Sequence, residues 1–151
     1  QGADRYLKER VNQPSEDFDT IEKGFFFWNG FTPDWINFFQ MSKWAADNLP
    51  EGSYVASRKP GMSFIYSGGE DFYGMWNVPS EDPTELYNKL KEAGVTHVLM
   101  GSLRVDPTQK TERTITTVRR YLTIIHSGYP DVIEFVHKIG DDEPAYLYKI
   151  N

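Results

Sequence analysis

The sequence predicts an α/β fold: a single three-layer-like domain with a mixed, mainly parallel central sheet and a C-terminal β-hairpin. Three observations carry this expectation. Short apolar runs of strand length alternate with stretches of helical spacing between residues 32 and 128, the order that layers helices against a largely parallel sheet. One run, residues 95–101, is almost wholly apolar, as in a strand covered on both faces. Finally, two strand-like segments, 132–139 and 145–150, flank Gly140-Asp141-Asp142-Glu143-Pro144. That spacing makes a hairpin, one strand of which must run antiparallel.

The chain divides into an N-terminal arm, residues 1–31, and the α/β domain, residues 32–151. In the arm, residues 3–11 suit a short polar helix that Asn12-Gln13-Pro14 breaks, and the aromatic run Phe25-Phe26-Phe27-Trp28 lies between Gly24 and Gly30. The domain opens with a helix for which Thr32 serves as cap and Pro33 as first residue, where its missing N–H has no consequence. Trp35, Phe38, Ala45 and Leu49 form its apolar stripe, widened by Phe39, Met41 and Trp44. Leu49-Pro50-Glu51-Gly52 stops it. Strand one is expected at 54–59, a short helix at 61–67 leading into the turn Gly68-Gly69, and an edge-like strand two at 72–78.

Asp82-Pro83-Thr84-Glu85 marks the next helix, with Asp82 as cap and Glu85 in the capping-box position. Leu86, Leu90 and Ala93 line its buried face and Gly94 closes it. Strand three at 95–101 is followed by a polar loop, 104–112. The last helix is expected near 113–127, with Ile115, Val118, Leu122 and Ile125 inward and Gly128 at its end. Right-handed crossovers then bring the first and third strands together in parallel.

Bulk composition bounds the function. The chain has 151 residues, enough for one domain that buries roughly 68–70% of its unfolded surface. Aromatic residues reach 15%, and 16 Lys and Arg stand against 22 Asp and Glu, a net charge of −6. A general nucleic-acid binder carries a basic surplus instead, so no nucleic acid is expected as partner. The absence of cysteine excludes disulfides, thiolate zinc sites and cysteine nucleophiles. No run of about 18 apolar residues is present. Gln1 without a signal-peptide pattern reads as the start of a fragment or processed product.

The motifs for chemistry are sparse. His97, His126 and His137 share no ligand spacing and read as isolated structural or surface histidines. The carboxylates cluster in turns, without the alternating oxygen ligands of an EF-hand. Neither a Gly-x-Ser-x-Gly elbow nor a phosphate-binding Gly-x-x-x-x-Gly-Lys occurs. No catalytic residue, metal ligand or cofactor is therefore expected within the stretch.

Position makes the cations more informative. Strand one runs into Arg58-Lys59, with Pro60-Gly61 behind them, and Ser102 and Arg104 follow strand three. Ligands gather outside the carboxyl ends of parallel strands. Arg58, Lys59, Ser102 and Arg104 thus form a candidate anion or ligand rim, to which the amino end of the following helix adds free N–H groups. The competing reading is that these cations pair with Glu70, Asp71 or Asp106. Two aromatic groups, Phe26 with Trp28 and Tyr73 with Trp76, are candidate interface residues; the competing reading is that they cap the core.

The order of short motifs resembles a known family. Trp35, Trp44-Ala45 and Leu49-Pro50 precede Val55-Ala56-Ser57-Arg58-Lys59-Pro60 and Tyr66-Ser67-Gly68-Gly69. Then come Asp82-Pro83-Thr84-Glu85, Gly94-Val95-Thr96-His97-Val98-Leu99 and the closing Tyr146-Leu147-Tyr148-Lys149-Ile150. Over residues 32–151 this resembles the soluble extracytoplasmic C-terminal domain of bacterial polytopic membrane glycosyltransferases. These are the dolichyl-phosphate-mannose-protein mannosyltransferase-like and aminoarabinose-transferase-like proteins. The resemblance implies a noncatalytic domain on the periplasmic face of the inner membrane, over the transmembrane portion of its parent chain. Its donor would be a polyprenyl-phosphate sugar, the catalytic acid would lie between membrane helices outside this stretch, and the domain would help shape the entrance for a glycan acceptor. Without the resemblance, the residues also fit a free-standing sugar- or anion-binding module.

Overall fold

The computed structural model describes residues 31–106 and 113–151. The arm helix at 3–11, the aromatics Phe26 and Trp28 and most of the 104–112 loop lie outside the described residues. Among the described residues nine elements follow one another: α1 Pro33–Asn48, β1 Val55–Ser57, α2 Pro60–Ser67, β2 Phe72–Gly74, α3 Pro83–Ala93, β3 His97–Met100, α4 Thr117–Gly128, β4 Ile133–Ile139 and β5 Ala145–Ile150. They form the α/β domain expected from the sequence, around a five-stranded sheet of order β2-β1-β3-β5-β4. Strand β1 pairs in parallel with both β2 and β3. Strand β5 runs antiparallel to β3 and to β4, and the β4 side of that hairpin carries an irregularity between Phe135 and His137.

Strand alternation divides the core between two faces. On one, Val55, Leu99, Ala145 and Leu147 meet Trp35, Phe38, Phe39, Met41 and Ala45 of α1 and Tyr66 of α2. Phe39 stacks on Tyr66 with ring centres 3.7 Å apart, and Phe31 meets Phe39 edge-on at 5.0 Å. Phe31 therefore caps this core. On the other face, Ala56, Val98 and Ile150 meet Leu86 and Leu90 of α3 and Val118, Tyr121, Leu122 and Ile125 of α4.

Several element ends differ from the sequence expectation, each for a local reason. Strand β1 stops at Ser57, two residues short, because Pro60 already starts α2 and the chain must turn between them. Strand β2 is only three residues long and lies at the sheet edge. Helix α4 begins at Thr117, so Ile115 is not on its stripe. The Ile115 N–H instead donates to the Leu103 carbonyl at 2.6 Å, joining the segment after β3 to the one before α4.

The helix caps show which local signals act as expected. Asp82 accepts the Thr84 N–H at 3.0 Å, but Glu85 does not close a capping box; it accepts the Ser80 hydroxyl at 2.5 Å, and Ser80 in turn accepts the Asp82 N–H. Thr32 precedes α1 without a side-chain cap bond to the backbone, since its hydroxyl donates to Asp34. Gly68 and Gly94 end α2 and α3 with φ of 94° and 82°, a conformation glycine adopts without strain.

Candidate functional site

Two regions bear on function: the turn and loop at the carboxyl ends of β1 and β3, and a cleft along the edge strand β2. At the first, buried hydroxyls set the backbone. Ser42 of α1 donates to Ser63 of α2 at 2.9 Å while also lying 3.0 Å from the Phe38 carbonyl. Ser63 and Ser57 are hydrogen-bonded at 2.9 Å, and Ser57 Oγ accepts the Lys59 N–H at 3.1 Å. All three serines are fully buried. They lock α1, α2 and the end of β1 together and so fix where the Arg58-Lys59 turn emerges. Sequence reasoning missed this chain of hydroxyls, because its partners are brought together only by helix packing.

The four rim residues follow the carboxyl ends of neighbouring parallel strands, yet they do not form one open basic surface. Arg104 is committed to carboxylates. Its backbone N–H donates to Asp34 Oδ2 at 2.6 Å, its Nε lies 3.9 Å from Asp34 Oδ1, and its guanidinium pairs with Glu143. The Trp35 indole N–H also donates to the Arg104 carbonyl at 3.0 Å. Ser102 Oγ points to the Pro144 carbonyl at 3.4 Å. Since β5 and β1 flank β3 on opposite sides, these contacts draw Ser102 and Arg104 toward the hairpin turn and away from β1.

Arg58 and Lys59 remain half-buried on the β1 side, and the Arg58 Nε is buried with no hydrogen-bond partner among the described residues. The competing reading, a pairing of Arg58 or Lys59 with Glu70 or Asp71, fails on topology. With β1 and β2 parallel and Val55 opposite Phe72, Glu70 and Asp71 precede β2 at the other end of the sheet. There they line a second cleft, of about 440 Å3, with Glu51 and Ser53.

The cleft along β2 has a volume of about 500 Å3 and is lined by Tyr54, Tyr73, Met75, Trp76, Asn77, Lys89 and Tyr121, among others. This is the usual size and aromatic character of a small-ligand site. Of the four candidate interface aromatics, Tyr73 and Trp76 thus share one cleft. Tyr54 and Tyr73 meet edge-on at 6.1 Å. Trp76 is 62% exposed, and its ring rests against Gly74, where an added Cβ would come within 2.5 Å of the indole.

Tyr121 was not expected here, although its position three residues after Val118 puts it on the inward stripe of α4. Only 2% of it is exposed, and its hydroxyl has no hydrogen-bond partner among the described residues. Burial, with a smaller contribution from Tyr73, pushes its pKa up to about 12, so the phenol keeps its proton.

Among the described residues, no three His, Asp or Glu side chains come together as metal ligands, and no helix is long and apolar enough to cross a membrane. His97 is buried in β3 with Nδ1 2.7 Å from the Thr96 hydroxyl, and His137 stacks on Trp44 at 4.0 Å. Both contacts are structural. No protein-family model and no curated protein sequence matches the chain.

Proposed function

We propose that the chain is a noncatalytic binding domain of a membrane-bound glycosyltransferase, held on the extracytoplasmic side against the transmembrane portion of its parent. The sequence resemblance over residues 32–151 suggests this reading, and one structural observation carries it further. The β4–β5 hairpin carries an aromatic group on one face, Phe135, Tyr146 and Tyr148. Phe135 is 57% exposed, its ring meets Tyr148 edge-on at 6.3 Å, and Tyr148 stacks with Tyr146 at 6.1 Å. An exposed phenylalanine seated on two half-buried tyrosines favours a docking role over a freely solvated face.

Sugar transfer from the polyprenyl-phosphate donor belongs, in this reading, to the membrane portion, and the domain contributes binding and orientation of the donor or acceptor. The encoded sequence ahead of Gln1 tests it first: several hydrophobic membrane spans are expected, and a secretion signal alone would contradict it. In membranes containing the parent chain, Phe135→Asp should reduce transfer at least about tenfold, the effect of losing one strong interface contact, while leaving the domain folded. A free-standing sugar-binding module is the second reading, favoured by the β2 cleft, whose lining comes from β2, α3 and α4 and the segments beside them.

A further inference from the structure

We propose that the cleft along β2 is a saccharide site in which a pyranose ring stacks on the outward face of Trp76. The inference rests on reading the chain as a binding domain, and it moves the ligand from the basic strand ends to the sheet edge. The platform is its first support. An indole 62% exposed at the mouth of a cleft is an unusual use of the largest apolar side chain. Gly74 lets that ring lie against the strand with its other face free. One face of a pyranose is a row of C–H bonds with partial positive charge, the complement of the negative face of an aromatic ring.

The second support is independent of the first. A buried polar atom without a partner is rare in a folded chain and calls for an explanation, and Tyr121, on the lining of this cleft, carries such an atom in its Oη. A sugar hydroxyl reaching the floor supplies the missing acceptor for the phenolic O–H. Asn77 and Lys89, also on the lining, offer further donors to ring hydroxyls. A single lysine among aromatic walls suits a neutral sugar or a sugar monophosphate better than a polyphosphate.

The test is a 1H–15N NMR titration of the full chain with methyl α-mannopyranoside and with cellobiose. Sorbitol, which has hydroxyls but no ring face, and adenine, which stacks but carries no sugar, serve as comparisons. The expected result is a saturable shift of the Trp76 indole N–H and of amides 73–77 with a Kd of about 1–10 mM, and none with sorbitol. Trp76→Ala should abolish it. Gly74→Ala keeps the indole but pushes it off the strand, and should weaken binding. Tyr121→Phe should weaken it about 3- to 10-fold, the value of one hydrogen bond. The absence of a saturable shift at Trp76 with either saccharide at about 50 mM, or a response to adenine alone, would overturn the proposal; unchanged affinity in Tyr121→Phe would overturn the role given to the phenol. The glycosyltransferase reading can fail separately, through the sequence ahead of Gln1, while saccharide binding by the isolated chain still stands.

Discussion

Asp34 accepts the backbone N–H of Arg104 at 2.6 Å and faces its side-chain Nε at 3.9 Å, so a carboxylate in the first turn of α1 fixes the residue that follows β3. Asp34 is fully buried, and its charge also suits the positive end of the helix. Glu143, at the hairpin turn, takes the other side of the guanidinium. Arg104 therefore acts as a tie between α1, β3 and the β4–β5 turn rather than as an open anion receptor.

Removing that carboxylate leaves the buried side of Arg104 uncompensated. Asp34→Ala is expected to destabilise the fold by about 3 kcal/mol, as for other broken buried pairs. Urea unfolding checks this, and a double-mutant cycle with Arg104→Met should return a coupling of at least about 1 kcal/mol. Arg104→Ala alone should not alter saccharide shifts at Trp76.

The serine chain makes a second demand on the fold. Ser63→Ala takes one hydroxyl from between Ser42 and Ser57 and leaves two buried groups short of a partner. A loss of about 2 kcal/mol is expected, the scale of one unsatisfied buried polar group. Faster hydrogen exchange at the Lys59 amide, whose acceptor is Ser57 Oγ, would show that the effect is centred on the β1–α2 turn.

What the sequence made legible is what depends on near neighbours. Pro33, Asp82, Gly68 and Gly94 announce helix ends through backbone geometry that each residue imposes locally, and the apolar stripe from Trp35 to Ala45 reports its own buried face. The carboxyl-end rim could be located because parallel strands place their ends together. Its occupancy could not: whether Arg104 is free depends on Asp34 and Glu143, 70 and 39 positions away in sequence. The same holds for Ser42, Ser57 and Ser63, ordinary polar residues until packing buries them. Tyr73 and Trp76 were visible as an aromatic cluster at an edge strand, whereas Tyr121, on a helix far along the chain, joins them only through the fold.

His97 gives the domain a pH dependence with a definite sign. Burial first, and then the charge of Lys149, hold its pKa below the ordinary 6.5. Below pH 6.5 the unfolded chain takes up a proton that the folded chain resists, so the contribution to stability is complete above pH 6.5 and is lost as pH falls toward the folded-state pKa. Each pH unit across that window removes at most about 1.4 kcal/mol. Urea midpoints at about pH 7.5 and 5.5 should diverge less in His97→Gln than in the wild type.

The hairpin turn depends on a glycine. Gly140 has φ of 95°, and a Cβ there would collide with the Asn37 side chain. That amide donates to the Asp142 and Glu143 carbonyls at 3.1 and 3.0 Å. Gly140→Ala should therefore cost about 1–3 kcal/mol through backbone strain and displacement of Asn37, seen as a lowered Tm.

A sugar phosphate tests the central claim most directly, because it offers one group to each of the two regions. In an NMR titration of the full chain with mannose 1-phosphate, the account predicts saturable shifts at the Trp76 indole N–H and amides 73–77, lost in Trp76→Ala and retained in Arg58→Ala. Shifts confined to residues 57–61 and 102–104, abolished by Arg58→Ala and indifferent to Trp76→Ala, would contradict it and return the ligand to the strand ends.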